Sequence, residues 1–208
     1  MPVLEAAFPA PPDLAEKLDR YEALLRKWQA AINLVAPSTL ADLRQRHFED
    51  SLQLVPLIPA GAKVLVDLGS GAGFPGLVLA LATGLETHLV ESDQRKAEFL
   101  RAVSRETSAP VTVHAKRIEQ VPPFIADVVT ARALAPLPVL LGHAARFAGP
   151  HTVAIFPKGR SAEAELASLK SADHLTGPAA SPKMTIDLHP SRTDPDAVLI
   201  RIEGFARG

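Results

Sequence analysis

The chain has 208 residues, 47% of them apolar and 22% charged, enough for one compact domain of about 150 to 200 residues with a buried core. Twenty-two Lys and Arg against 23 Asp and Glu leave a formal charge of −1, so no global basic field marks a nucleic-acid partner, and any such partner must be held by a local patch. There is no cysteine, which excludes a disulfide framework, a thiolate metal site and covalent catalysis by a thiol.

The start, MPVLEAAFPAPPD, has no positive segment ahead of an apolar one, and no apolar run approaches the roughly 18 residues of a membrane span, so a cytoplasmic protein is expected. From Asp13 to Leu34, Leu14, Leu18, Tyr21, Leu25, Trp28 and Ile32 fall at steps of three and four, which predicts an amphipathic helix with Asp13 as its N-cap. Tyr21 and Trp28 are most simply core residues. A second helix is predicted from Ser38, carrying Leu40, Leu43, Phe48 and Leu52 until Pro56 stops it. Residues 1–60 thus read as an N-terminal helical cap, and 61–208 as the core that it joins in one compact unit.

After Gly61 the pattern changes. Residues 63–68 (KVLVDL) form a predicted strand, followed by the cluster GSGAGFPG and an apolar stretch, LVLALA, read as a helix because proline at position 75 suits a first turn. Strands are predicted at 87–91, 111–114, 126–131 and 152–156, and near 184–188 and 197–203, with a charged helix at 93–106. Strands alternating with helices predict an α/β, doubly wound, mostly parallel sheet whose ligand sits at the carboxyl ends of its strands. The last two strands are expected as an antiparallel pair at one edge. The 19 prolines punctuate these elements without repeats or low complexity.

The glycine loop, Asp67 to Gly76 (DLGSGAGFPG), turns a strand into a helix and leaves bare N–H groups for a ligand. Gly71, Gly73 and Gly76 also match the dinucleotide fingerprint, so an NAD-dependent oxidoreductase is one reading. Asp67, two residues before Gly69, would repel a pyrophosphate and attract a sulfonium, which favours S-adenosylmethionine. Glu91, at the end of the second strand, is placed to accept hydrogen bonds from ribose hydroxyls with either cofactor. A non-catalytic adenosyl-ligand module is a further alternative.

With these residues in hand the chain resembles the bacterial 16S ribosomal RNA guanine-N7 methyltransferase family, also known as the glucose-inhibited division protein B family. The resemblance lies in KWQAAINLVA from Lys27, RHFEDSL from Arg46, DLGSGAGFPG from Asp67, Glu91-Ser92 with Lys96 to Leu100, Arg117-Ile118-Glu119, Ala131-Arg132-Ala133 and Lys158-Gly159, in order over residues 27–159. It implies a class I, Rossmann-like methyltransferase with a seven-stranded sheet. The implied reaction is transfer of a methyl group from S-adenosylmethionine to N7 of one guanine of 16S rRNA, in the small ribosomal subunit or its assembly particle, without a membrane or metal partner. It also implies that Gly69, Phe74, Ile118, Glu119 and Arg132 contact the cofactor. Asp67, Ser70, Gly71, Gly73, Glu91 and Ser92 complete the candidate cofactor set.

Guanine N7 carries an in-plane lone pair and loses no proton, so no general base is required, and proximity with alignment suffices. In keeping with this, Val121-Pro122-Pro123-Phe124 precedes the fourth strand and reads as a loop, not as an amine-methylating motif. The candidate substrate residues are Asn33, Arg46, His47, Asp50, Ser51 and Lys158. His47, Asp50 and Ser51 share one face at helical spacing, either as a wall of the guanine pocket or as a hydrogen-bonded helix end. Three residues on one turn do not make a hydrolase triad. Lys158 reads as a phosphate contact or a solvated lysine. Arg26, Lys27, Arg44, Arg46, Lys116, Arg117, Arg132 and Lys158 are the candidates for a local phosphate-binding patch.

Overall fold

The computed structural model describes residues 8–171 and 184–205. Its strands are β1 (Val64–Leu68), β2 (Glu86–Val90), β3 (Val111–His114), β4 (Ala126–Ala131), β5 (Ala148–Lys158), β6 (Thr185–Pro190) and β7 (Val198–Glu203), in one sheet of order β3-β2-β1-β4-β5-β7-β6. β1 to β5 pair in parallel. β7 runs against both β5 and β6, with Val198 opposite Lys158. The expected antiparallel edge pair is therefore present, and the turn that feeds β7 lies at the edge where β1, β4 and β5 end.

Alternation along the strands sorts the core onto two faces. Leu65, Val128, Val153 and Ile155 pack with Leu79 and Ala82 of α3 (Gly76–Thr83). Their chain neighbours Val66, Val129, Ala154 and Phe156 pack instead with Leu137 and Leu140 of α5 (Leu137–Ala144) and Leu169 of α6 (Ala162–Ser171). On the α3 side, Leu18, Tyr21 and Leu25 of α1 (Leu14–Gln29) join Leu77 of α3 and Phe99, Leu100 and Val103 of α4 (Gln94–Thr107) in a single cluster. Helix α3 lies between the sheet and α1, which explains why LVLALA is apolar on every side and shows no periodicity.

Several sequence expectations change. Helix α1 stops at Gln29, because that side chain accepts from the N–H groups of Leu34 and Val35, both at 3.0 Å, and folds the following residues back. Ile32 is nevertheless buried. Asp13 precedes α1 without a side-chain cap and pairs with Lys17 at 3.0 Å. The single helix expected from Ser38 is broken into a turn at Pro37–Thr39, a wide π-type coil at Arg44–Glu49, one α-helical turn, α2 (Asp50–Leu52), and a turn at Val55–Leu57. In the widened coil the consecutive residues His47 and Phe48 both lie against Phe74, with ring centroids 5.0 and 5.3 Å away. Helices α5 and α6 were not among the predicted elements. Pro136 and Pro138, read as punctuation, begin α5, where the missing N–H costs nothing. No described helix is long and apolar enough to cross a membrane.

Candidate functional site

β1 delivers Asp67 to the carboxyl edge of the sheet, but the carboxylate lies beneath the glycine loop and is fully buried. Its Oδ1 accepts from the Thr130 hydroxyl at 2.7 Å, while Oδ2 has no hydrogen-bond partner among the described residues. Burial pushes its pKa up to about 6 against the bond from Thr130. A side chain at Gly76 would collide with Asp67. The close approach of α3 therefore covers the acid expected at the rim of the loop, and Asp67 has no surface with which to touch a ligand.

The other acid joins the loop to its neighbouring strand. Glu91 accepts from Gly71 N–H and Asp93 N–H, both at 2.8 Å, and is almost buried. Ser70 is buried, donating from its N–H to Val90 O and from its hydroxyl to Asp67 O, both at 3.0 Å. The glycines have different reasons for being glycine. At Gly71 (φ +57°) an added Cβ would meet only Gly69 O, at 3.9 Å, so this side of the loop is open. At Gly73 (φ +94°) it would strike the Tyr21 hydroxyl and stand 3.0 Å from Leu77 and 3.1 Å from Leu100. Gly69 is overlain by Leu134, whose Cδ1 would be 2.7 Å from such a Cβ.

Phe74 is buried, with its ring stacked on Tyr21 and on His47. Above it sits Arg132, with Cζ 5.1 Å from the ring centroid. Arg132 donates to His47 Nδ1 at 3.0 Å and to Asp50 Oδ2 and Arg46 O, both at 3.3 Å. A guanidinium has no acceptor, so Nδ1 of His47 is the accepting nitrogen, and Nε2 carries the proton that it shares with Thr39 Oγ1 at 2.9 Å. Burial and then the Arg132 charge push the His47 pKa down to about 4.

A cavity of ≈ 550 Å³ opens beside this cluster at the ends of β4 and β5. Its charged walls are three ion pairs: Arg132–Asp50 at 3.3 Å, Lys158–Glu165 at 2.8 Å and Arg46–Asp194 at 3.5 Å. Lys158 is neither a solvated lysine nor a free cation for phosphate. It is buried, and besides Glu165 it donates to Ala135 O at 2.7 Å. Burial raises the Glu165 pKa, but the bonds from Lys158 and Ser161 outweigh it and hold that carboxyl below its usual range.

Of the six candidate substrate residues, Arg46, His47, Asp50 and Lys158 line this cavity. Ser51 faces away, buried and donating to His47 O at 2.6 Å. Asn33 is exposed outside the cavity, in a turn where Gln29 reaches its Oδ1 at 3.4 Å. Ser92 is exposed after β2, Ile118 is buried in the core, and Glu119 is exposed, 3.8 Å from His143. The proposed basic patch is largely neutralised, since Arg26 pairs with Glu22, and Arg44 with Asp19 and Glu22. The cavity also contains Thr39, Leu134, Glu165, Thr193 and Asp194, which sequence reasoning missed because the elements bearing them are far apart in the chain and carry no motif.

A model of the rRNA small subunit methyltransferase G family matches residues 14–182. The chain belongs to that family. A ribosomal RNA small subunit methyltransferase G of Rhodospirillum centenum is 54% identical over 97% of this chain and 89% of its own, and that of Paramagnetospirillum magneticum is 53% identical over 93% and 90%. The sheet likewise has the class I, Rossmann-like methyltransferase fold. M. jannaschii TYW2 in complex with AdoMet superposes with a TM-score of 0.57 at 14% identity, over 83% of this chain and 77% of that one. A ribosomal protein L11 methylase from Lactobacillus delbrueckii gives 0.56 at 11% identity, over 76% and 78%. The family resemblance drawn from RHFEDSL and DLGSGAGFPG is thus borne out, and in this chain those two segments meet where Phe74 stacks on His47.

Proposed function

We propose that this chain transfers a methyl group from S-adenosylmethionine to N7 of a guanine in 16S rRNA of the small ribosomal subunit. The observation that carries the reading is the state of the titratable groups in the cavity beside the glycine loop. Asp50 and Glu165 are ion-paired with Arg132 and Lys158, Asp194 stands 3.5 Å from Arg46, and the Nδ1 lone pair of His47 is occupied by Arg132. Such a pocket orients a base but takes no proton from it. Guanine N7 is a nucleophile that needs no deprotonation, unlike an exocyclic amine.

The loop residues fit the cofactor. Gly71 presents an open backbone face, and the Glu91 carboxylate at the end of β2 has lone pairs beyond the two N–H groups it already accepts, suited to ribose hydroxyls. S-adenosylmethionine supplies a methyl group on a positively charged sulfur. Arg132, fixed by His47, Asp50 and the Phe74 face, stands between loop and cavity and holds the shared wall rigid. The family name and the order of the matched segments support the rRNA substrate.

The test is incubation with small subunits lacking the modification and radiolabelled cofactor, followed by nucleoside analysis. Label in 7-methylguanosine of the small-subunit RNA is expected. Label in another nucleoside overturns the N7 assignment, and no label in RNA leaves only a binding module. Titration with S-adenosylhomocysteine should saturate where NADH does not, and the reverse would restore the oxidoreductase reading.

A further inference from the structure

We propose that Asp194, in the turn between β6 and β7, reads the Watson–Crick edge of the substrate base and so makes the pocket selective for guanine. This rests on the guanine reading above and assigns that site a specificity residue. Strand order carries the first part of the argument. At the carboxyl edge the glycine loop follows β1, Arg132 follows β4, Lys158 ends β5, and the reversed β7 brings its entry turn to the same edge. The turn therefore lines the cavity on its β7 side, Arg132 lines it on the other, and the glycine loop lies beyond Arg132 on the β1 side. A purine whose Watson–Crick edge meets the turn directs its N7 side toward the loop.

The turn is held firmly. Gln53 is buried and donates to Asp50 Oδ1 at 2.8 Å and to the hydroxyls of Ser191 and Thr193 at 3.1 Å, while its Oε1 accepts from Arg192 N–H at 2.8 Å. Thr193 completes the latch by donating to Asp50 Oδ1 at 2.7 Å. The residue that follows it is the least committed acid of the cavity. Asp50 accepts from Thr193 and Gln53 at 2.7 and 2.8 Å and from Arg132 at 3.3 Å, and Glu165 accepts from Lys158, Ser161 and Leu137 N–H at 2.7 to 2.8 Å. Among the described residues the Asp194 carboxylate takes only the Asp196 N–H at 3.0 Å and a loose contact to Arg46 at 3.5 Å, with 37% of its side chain exposed.

The chemistry selects the base. Guanine offers N1–H and the N2 amino group side by side, two parallel donors for the two oxygens of one carboxylate, whereas adenine places an acceptor at N1. Three internal ion pairs leave the walls without net charge, which suits a neutral base better than a phosphate. Lys158, with two of its three N–H groups engaged, keeps one for guanine O6.

The experiment compares wild type, Asp194→Asn and Asp194→Glu on small subunits reconstituted with either guanosine or inosine at the position that wild type methylates. Inosine keeps N1–H and lacks the amino group. Wild type should lose about tenfold or more in kcat/KM on inosine. Asp194→Asn should lose about 10- to 100-fold on guanosine, bring its guanosine-to-inosine ratio near one, and leave S-adenosylhomocysteine affinity unchanged, with Asp194→Glu recovering part of the loss. The ratio is internal to each variant, so partial misfolding cancels. An Asp194→Asn enzyme with wild-type kcat/KM and ratio overturns the assignment while the guanine reading stands. A wild type that labels no guanine overturns that reading itself.

Discussion

Arg132 and His47 form one unit: a guanidinium N–H points at Nδ1 of the imidazole at 3.0 Å, and so decides which ring nitrogen carries the proton. The pairing keeps His47 neutral, with its pKa near 4 through burial and the Arg132 charge. The group is therefore a support for Arg132 and not an acid or a base.

Its titration should appear in stability. The native pKa is depressed below the ordinary imidazole value of 6.5, so the unfolded chain binds the proton first. The His47 contribution is fully present above pH 6.5, and up to about 3 kcal/mol of it is lost as pH falls from there to about 4. Urea unfolding at several pH values checks this, because His47→Gln should remove that part of the slope. The activity profile should show no limb from His47 between pH 6 and 8.

Asp67 predicts the opposite sign. Its native pKa, raised to about 6 chiefly by burial, exceeds the unfolded value of 3.8, so the native state takes the proton first and gains stability as pH falls through 6 toward 4. Relative to Asp67→Asn, the wild type should become more stable between pH 7 and pH 4.5. A difference that is flat with pH would show that the carboxyl is charged throughout.

Gly71 and Gly73 should separate binding from folding. Gly73→Ala forces a side chain at φ +94° into Tyr21, Leu77 and Leu100 and should cost about 2–4 kcal/mol of stability. Gly71→Asp, at φ +57° and facing open space, should cost about 1 kcal/mol in unfolding yet abolish calorimetric binding of S-adenosylhomocysteine by filling the ligand face. Unchanged affinity would mean that the loop is not the site.

Leu134 lies over Gly69 with 38% of its surface exposed. A cofactor seated against Gly69 must displace it, so Leu134→Ala should tighten S-adenosylhomocysteine binding several-fold with little change in melting temperature. Weaker binding would make Leu134 part of the cofactor's apolar contact instead.

Local pattern carried much of the architecture. β-branched runs, the glycine loop and the three- and four-residue steps of α1 set the strands, the strand-to-helix turn and the antiparallel edge, because period and turn chemistry act between near neighbours. The same local rules misjudged the segment from Ser38 to Pro56, where packing of His47 and Phe48 on Phe74 favours a widened coil over a continuous helix. They were silent on depth. Whether Asp67 meets a ligand or lies under Gly76, and whether Lys158 is solvated or paired with Glu165, depends on which elements press together in space. Asp194 illustrates the limit most simply: nothing around it in the chain marks it, and only the reversal of β7 and the latch through Gln53 bring it to the cavity.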